Sequence, residues 1–412
     1  MRNRNIIYLM SLFLCIISIP LTVSANTCLE CHMEMEDVLK TPADLFVKDV
    51  HNNFGLNCSI CHGGNPDEED FDLAKDSSFK GIPERKMILE LCSSCHSDSN
   101  YMRKYNPNIR VDQADLYWTS QHGKMFMNGD IQVAVCTDCH ASHGILSATH
   151  PKSSVFPWNI PDTCGQCHSD ADYMKEYESP VNQVDDFKKS VHARALFEKK
   201  DLSAPACNDC HGNHGAIPPE ISSIAFVCRQ CHPSAGELFS QSPHKTAFDE
   251  MGISECEACH GNHNIITPSD DMLGMNDDAV CIECHEAGTK VSEVVDSIKE
   301  RLEEYKTQMH LSEQLLEKAD RQGVEISESK YLLLEANTVL IQIRNLVHGF
   351  SLEKIDQKFG EGIKILDEVK IAGQDALKEA QFRKTGLIIA TLFIFLFATA
   401  LYLKIRNLNR KE

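Results

Sequence analysis

Apolar residues at helical spacing fill the C-terminal part of the chain, from about residue 287 to residue 383. Gly323 interrupts this pattern once, and Ser327 and Ser351 are suitable N-caps for the segments that follow. The pattern predicts three amphipathic helices over 287–383, arranged either as an antiparallel bundle or as a stalk. Their apolar faces run from Val291 to Met309, from Leu332 to Val347 and from Leu352 to Val369.

A short apolar run near the start of the chain has a different character. It covers residues 6–20, follows the basic start Met1-Arg2-Asn3-Arg4 and precedes the small residues Val23-Ser24-Ala25. This order is typical of a secretory signal peptide, and we predict one over residues 1–25 with cleavage after Ala25. An uncleaved membrane anchor is the alternative interpretation.

A second uninterrupted apolar run covers residues 386–403. Its 18 residues reach the length that crosses a bilayer, so we predict a transmembrane helix over 384–404. The tail 405–412 is then cytoplasmic, because positive charge is concentrated after the apolar run. The prediction places the protein in the cytoplasmic membrane, with the region before the helix on the periplasmic side. A helix buried in a protein core is the alternative.

The region 26–286 shows no sustained helical or alternating pattern, and glycine, proline, Asp and Asn are scattered through it. It contains instead nine copies of Cys-x-x-Cys-His, which use all the cysteines except Cys15. The cysteines of the motifs, in chain order, are Cys28 and Cys31, Cys58 and Cys61, Cys92 and Cys95, Cys136 and Cys139, Cys164 and Cys167, Cys207 and Cys210, Cys228 and Cys231, Cys256 and Cys259, and Cys281 and Cys284.

This spacing is the attachment signature of c-type haem, in which two thiols form thioethers with the porphyrin and the histidine ligates the iron. A zinc ribbon needs two Cys-x-x-Cys pairs per metal, so nine pairs would leave one over. A disulfide framework would not place a histidine after every second cysteine. We therefore predict nine covalently attached c-type haems over 26–286. With so few residues per haem, we expect the porphyrins themselves to form the core.

The nine motif histidines are the expected proximal iron ligands: His32, His62, His96, His140, His168, His211, His232, His260 and His285. Ten histidines remain, and most of them repeat in position. Three follow a motif histidine by three residues, namely His143, His214 and His263. Five follow one by 12 to 26 residues, namely His51, His122, His192, His244 and His310, and three of these share the context Ser-x-His.

Haem iron takes a second axial ligand, and the eight histidines placed by the repeat are the candidates for it. A histidine three residues after its own proximal histidine cannot reach the opposite face of the same porphyrin, so we expect it to serve a neighbouring haem. His348 is the candidate for the ninth position, with His150 as the alternative. Two ligands for every haem are thus numerically possible.

Motifs with a close second histidine alternate along the chain with motifs that lack one, and the motif that begins at Cys58 departs from this alternation. It occupies the position of a motif with a close second histidine, but Asn65 stands where that histidine is expected. The Cys58 haem is therefore the sequence-based candidate for an open coordination position.

The formal net charge of −20 makes nucleic acid an unfavourable partner. An acidic surface is suited to docking with basic redox proteins. A simple solvated surface explains the charge equally well.

Several segments resemble the multihaem c-type cytochromes of anaerobically respiring bacteria, of the doubled CxxCH and cytochrome c3/c554-like electron-transfer families. The resemblance covers about residues 26–290. It implies electron transfer between membrane quinol-oxidising modules and periplasmic or extracellular acceptors. The segments that carry it are Ser120-Gln121-His122-Gly123, Asn159-Ile160-Pro161-Asp162-Thr163-Cys164-Gly165-Gln166-Cys167-His168, and the motifs with their close second histidines from Cys136 to His143 and from Cys207 to His214.

The fold class that follows is mainly α with much irregular structure: a haem-packed region, a helical bundle or stalk, and one transmembrane helix. The long helices after the last motif are also similar to those of the hydroxylamine oxidoreductase and pentahaem nitrite reductase families. The nitrite reductase signature, a Lys in place of the proximal histidine, is absent from all nine motifs.

Three functions remain open on this basis. The leading hypothesis is an electron relay without a substrate site. The second is an oxidoreductase that acts on a small nitrogen or sulfur compound at one open haem. The third is a redox sensor, which would need a signalling partner. Whether the chain is an enzyme is therefore undecided, with a carrier favoured.

Overall fold

The structure, a computed structural model, describes residues 26–36, 38–218 and 221–410. The predicted signal peptide and Cys15 lie outside the described residues. Helices and irregular segments make up the described part of the chain, which contains no strand. This confirms the predicted fold class. The chain divides into two compact units, Met1–Asp185 with His192–Pro218 and Asp186–Val191 with Pro219–Glu412.

The first unit contains short helices joined by loops, and α13 and α14 run through the boundary between the units. In chain order the helices are α1 (Thr27–Met33), α2 (Lys40–Phe46), α3 (Val50–Asn53), α4 (Ser59–His62), α5 (Phe71–Ala74), α6 (Ile88–His96), α7 (Ser99–Met102), α8 (Gln113–Thr119), α9 (Gln121–Met127), α10 (Cys136–His140), α11 (Ile160–His168), α12 (Ala171–Met174), α13 (Gln183–Lys189), α14 (Val191–Phe197) and α15 (Cys207–His211).

The backbone after the motifs shows two alternating types. In the second, fourth, sixth and eighth motifs the helix ends on the motif histidine, and the next residue has a positive φ of 66° to 81°. That residue is glycine in three cases, because glycine adopts this conformation without a steric penalty. After His96 and His168 the chain instead continues with an ordinary negative φ. The alternation expected from the histidine spacing is therefore present in the backbone.

The second unit combines the last three motifs with long helices. Thr289 and Ser351 cap the first and third long helices through their side chains, whereas Ser327 is the first residue of the second helix and Ile326 is its cap. The helices are α16 (Ile221–Arg229), α17 (Pro233–Ser240), α18 (Pro243–Met251), α19 (Glu257–His260), α20 (Lys290–Asp320), α21 (Ser327–Leu346) and α22 (Leu352–Leu408).

Helices α20, α21 and α22 pack side by side as an antiparallel three-helix bundle. Ile298, Leu302, Tyr305, Ile343 and Ile355 are fully buried in its core. These residues belong to the three apolar faces read from the sequence. Their burial removes the apolar stripes from water, which is the main source of stability for such a bundle.

Helix α22 continues without a break from the bundle into the C-terminal apolar run. Ala380 is its last buried residue, and every side chain over residues 386–403 is exposed. In the described part of the chain this is the one helix long and apolar enough to cross a membrane. Its 57 residues correspond to about 85 Å at about 1.5 Å per residue.

A largely buried carboxylate connects the loop between the eighth and ninth motifs to the bundle. Arg344 donates two hydrogen bonds of 2.9 Å to Asp270, and Lys306 lies 3.1 Å from the same carboxylate. Only 9% of the Asp270 side chain is exposed. Burial alone would raise the pKa of Asp270, but the hydrogen bonds from Arg344 and Lys306 outweigh it, and the pKa lies below its ordinary value.

We expect Asp270→Asn to destabilise the second unit by about 1–3 kcal/mol at neutral pH, because two cations lose their charged acceptor. Since the folded-state pKa is lowered, this stabilisation is complete above the unfolded pKa of about 4 and is lost as the pH falls below it. Denaturation of the variant and the parent should therefore converge in acid. Asp271→Asn, at the exposed neighbouring residue, is the control. A difference that persists unchanged at about pH 3 would contradict this explanation.

Candidate haem-binding sites

The fourth and sixth motifs fix their own helices through the aspartate inside the motif. Asp138 accepts a hydrogen bond of 2.7 Å from the backbone N–H of Val135, and Asp209 accepts one of 2.8 Å from Ala206. Arg85 donates to both carboxylate oxygens of Asp138, at 3.0 and 2.6 Å. Each cysteine and histidine of these motifs is thus presented from a rigid turn.

Adjoining motifs meet at their first cysteines. The thiols of Cys92 and Cys136 interact, and this interaction raises the pKa of Cys92 and lowers the pKa of Cys136. These sulfurs are the atoms that form thioethers when haem is attached. The same contact joins two further pairs of adjoining motifs, Cys164 with Cys207 and Cys228 with Cys256.

The remaining neighbours interact electrostatically. Cys28 raises the pKa of Cys58, and Cys95 raises the pKa of Cys61, in both cases after burial as the larger cause. Burial, followed by the charge of Cys164, raises the pKa of Cys139 to about 11. Within each unit the motifs are therefore neighbours in the order in which they follow one another along the chain.

Motif histidines face second histidines across a gap of constant width. Six such pairs are present, with ring centroids 5.9 to 6.1 Å apart, whereas the angles between the ring planes vary from 6° to 84°. The pairs are His96 with His51, His62 with His143, His168 with His122, His140 with His214, His285 with His244 and His260 with His348.

This gap fits an iron atom bound by both rings. A bond between a metal and an imidazole nitrogen is about 2 Å long, so two opposed bonds separate the nitrogens by about 4 Å and the ring centroids by about 6 Å. Aromatic rings in direct contact have centroids anywhere from about 4.5 to 7 Å apart, so the narrow spread of these six distances is what distinguishes them. The constant distance with variable angles is what a shared metal requires, so the residues fit the group that the motifs imply.

Eight of the paired histidines have a pKa below the ordinary value, chiefly because burial disfavours the charged ring. At neutral pH these rings are uncharged, which is the state in which imidazole binds metal. The eight are His96, His122, His140, His143, His168, His214, His244 and His260.

The pairs follow a rule of chain order. A histidine far downstream of one motif faces the motif two places later, as His51 faces His96. A histidine close behind a motif faces the motif two places earlier, as His143 faces His62. Five pairs obey this rule. In the sixth pair, His260 is faced by His348 from the segment between α21 and α22.

A repeated backbone contact positions both kinds of second histidine. The residue before each downstream histidine donates its N–H to the carbonyl two residues beyond a close histidine: Val50 to Ile145 at 2.7 Å and Gln121 to Ala216 at 2.9 Å. In the second unit Val191 donates to Ile265 in the same way, at 2.9 Å. The fourth copy has Pro243 there, which carries no N–H to donate.

The residue before this contact is a small polar residue or an aspartate, and it is buried in every copy. It is Ser120, Ser190 and Ser242 in three copies, and Asp49 in the first. Sequence reasoning missed Asp49 because it relied on the Ser-x-His context, although aspartate caps helices as serine does. The preference shared by Asp and Ser for N-caps was the available signal.

Asp49 makes more contacts than the serines can. Its carboxylate accepts hydrogen bonds from the backbone N–H groups of His51 and Ile145 at 2.9 and 2.8 Å, and from Nδ1 of His51 at 2.9 Å. Burial alone would raise the pKa of Asp49, but these hydrogen bonds outweigh it and lower the pKa. A carboxylate on Nδ1 fixes the ring and makes Nε2 a stronger donor to a metal.

We expect Asp49→Ala to destabilise the first unit by about 1–3 kcal/mol, because buried donors lose their acceptor. We also expect one reduction potential to rise by about 59 mV, which corresponds to a tenfold loss of the preference for ferric iron. Asp49→Ser restores the cap without the charge. It should therefore recover most of the stability and leave the potential raised, as potentiometric titration and denaturation would show. Equal potentials in all three proteins would contradict the role of the carboxylate.

Two candidate ligands lie away from these pairs. His310 is exposed on α20, where its Nε2 is hydrogen-bonded to Gln314 at 2.9 Å, because the packing of the bundle turns this position to solvent. Nδ1 of His150 accepts a hydrogen bond from the N–H of Lys152. The expectation that His310 lies beside a motif histidine is therefore not met. His192, His211, His232 and His263 all have interaction partners.

The Cys58 motif is not the one without a second histidine. His143 faces His62 at 5.9 Å with nearly parallel rings, and Nδ1 of His62 is hydrogen-bonded to the carbonyl of Gly81 at 2.8 Å. Asn65 instead accepts a hydrogen bond from the N–H of Asp67. The inference from Asn65 was wrong because close histidines serve other motifs than their own.

Neither a disulfide framework nor a site for a bare metal ion is present in the part of the chain that the structure describes. None of its 18 cysteines forms a disulfide, so a disulfide framework is absent there. Nor do His, Cys, Asp and Glu side chains gather there in groups of three or more that would suit a bare metal ion.

Comparison with known proteins agrees with the geometry. Residues 50–169 match the family model for cytochrome c3, and residues 249–290 match the model for the doubled CXXCH motif. No curated protein and no solved structure matches the chain. Together with the repeated Cys-x-x-Cys-His motifs, these matches show that the chain is a multihaem c-type cytochrome that takes part in electron transfer.

Proposed function

We propose that this chain is a membrane-anchored, periplasmic nonahaem cytochrome that relays electrons during anaerobic respiration. Its donor is a quinol-linked membrane protein, and its acceptors are periplasmic or extracellular redox proteins. The observation that carries the proposal is the set of six histidine pairs with one constant gap, placed on motifs that adjoin one another in chain order.

The motif cysteines are proposed to attach and space the haems, and the histidines to coordinate their iron. Bound c-type haem supplies reversible one-electron chemistry at its iron. The 18 motif cysteines would hold the nine groups, and the contacts between adjoining first cysteines would keep neighbouring groups close. The paired histidines would serve as ligands in both oxidation states, so little reorganisation would accompany electron transfer. The proposed second ligands are His51, His122, His143, His192, His214, His244, His263 and His348.

The helix α22 supports the proposed location. Its apolar run is exposed along its whole length, and Lys404 and Arg406 follow it, which favours a cytoplasmic C-terminus. The haem motifs then lie on the opposite side of the membrane. A net charge of −20 favours basic partner surfaces at that side.

The test uses full-length, haem-loaded protein in lipid vesicles. Intact mass should give nine haems, and the ferric protein should show low-spin signals from nearly all of them. Reduction by a low-potential donor should then proceed as one continuous cascade along the chain. High-spin iron in several haems, or reduction in isolated, unconnected phases, would contradict a relay.

A second function is favoured by one observation: the motif histidine His32 has no facing histidine in the part of the chain that the structure describes. An oxidoreductase acting on a small molecule would use this position, not the Cys58 haem. The candidate haem for the oxidoreductase function is therefore that of the first motif instead of the second.

A further inference from the structure

Among the residues that the structure describes, the first motif offers one histidine ligand for a haem iron and no second histidine on the opposite side. Nδ1 of His32 lies 3.2 Å from the carbonyl of Leu39, an arrangement that leaves Nε2 free to bind iron, as the bond to Gly81 does for His62. His62 faces a second histidine, whereas His32 faces none among the described residues. This contrast separates the first motif from its neighbour.

The histidines of the chain leave none for this position. All 19 lie within the described residues. Twelve belong to the six pairs, and His150 and His310 make the contacts described above. The two-motif rule assigns His192 and His263 to motifs later than the first.

The same rule explains why the first motif is the exception. An odd-numbered motif receives its second histidine from the downstream histidine two motifs earlier, as His96 receives His51. No motif and no histidine precedes Cys28 in this sequence. Even-numbered motifs are supplied from later in the chain, and at the far end His348 completes the eighth. Met33 and Met35 lie too close to His32 in sequence to reach the other face of its haem.

We propose that the haem held by Cys28, Cys31 and His32 has an exchangeable sixth position and binds small, uncharged ligands of ferrous iron. This inference deepens the proposed function and rests on it. It adds to the proposed relay one haem at which a small molecule can bind the iron.

The negative charge around the first motif favours uncharged ligands over anions. Thr27 donates its N–H and hydroxyl to the carbonyl of Pro66, and its hydroxyl also reaches Glu68, so the acidic segment 67–72 is fastened to the first motif. Helix α1 and its flank add Glu30, Glu34 and Glu36 without a compensating Lys or Arg. Such surroundings oppose anions and leave neutral ligands unaffected.

The test titrates reduced, full-length, haem-loaded protein with carbon monoxide. We expect one carbon monoxide per chain, and a high-spin ferric signal from one haem in nine in the oxidised protein. His143→Ala, which removes the partner of His62, should raise the stoichiometry to two. The double variant Cys28→Ala/Cys31→Ala, with eight haems, should bind none.

The outcomes separate this inference from the relay itself. Binding of none by the parent and one by His143→Ala would overturn the inference and leave the relay intact. Binding by most haems would overturn the relay. The ferric signal of the parent decides between these outcomes even if the double variant does not mature. Azide should bind the ferric site weakly and more strongly at high salt, and equal binding at both salt concentrations would refute the role of charge.

Discussion

Replacing His214 by alanine is expected to leave all nine haems attached and to interrupt the relay at the fourth. His214 faces His140 with ring centroids 6.0 Å apart, and burial lowers the pKa of both rings, so an uncharged ligand is lost from a site that water cannot fill equally well. The thioethers come from Cys136 and Cys139 and are not affected. One haem in nine should become high-spin, and transfer through the first unit should slow by at least about tenfold.

The measurement is electron paramagnetic resonance of the ferric variant, together with reduction kinetics by a low-potential donor. His214→Met is the informative second variant, because methionine ligation keeps the iron low-spin but raises its potential. His150→Ala is the matched control, since that loop histidine faces no motif. An unchanged spectrum in His214→Ala would show that the ring pair does not mark a ligand pair.

Substituting Gly362 is expected to have the largest effect on the bundle. A Cβ at this position would lie 2.3 Å from Oη and 2.4 Å from Cε2 of Tyr305. Tyr305 cannot yield, because it is fully buried and its hydroxyl donates a hydrogen bond of 2.9 Å to the carbonyl of Ala336. Gly362→Ala should therefore cost about 2–4 kcal/mol, from overpacking and from the strained or broken hydrogen bond.

Gly360, two residues earlier in the same helix, provides a control of opposite sign. A Cβ there meets no atom within 4 Å, so Gly360→Ala should stabilise the helix by about 0.5–1 kcal/mol. Denaturation of the detergent-solubilised protein, followed by far-ultraviolet circular dichroism, measures both. Equal effects of the two substitutions would mean that α20 and α22 do not pack as described.

The sequence was sufficient where chemistry depends on neighbours in the chain. The motif spacing predicts the attachment residues, and the three- and four-residue steps correctly predicted the three long helices with their buried faces. Ser351 was correctly placed as a cap. Local spacing determines these features, so they can be read without knowing the tertiary structure.

Local sequence spacing could not predict which histidines pair with one another. Partners are 41 to 88 residues apart, and which motif a histidine serves depends on how the loops cross. Asn65 was misread for this reason, and His310 because the rotation of α20 within the bundle decides which side meets solvent. Asp49 shows the opposite case: the position repeats in space, while a change of residue type hid the repeat in sequence.

The uninterrupted helix α22 also imposes a height. From Leu352, beside His348, to the first residue of the apolar run, the helix rises about 50 Å at about 1.5 Å per residue. If lipid surrounds the apolar run, the eighth haem stands that far above the bilayer on a support without a hinge. A quinol dissolved in the membrane would then be too far from this haem for direct electron transfer. Electron exchange at the eighth haem would therefore select membrane partners that extend about that far from the bilayer.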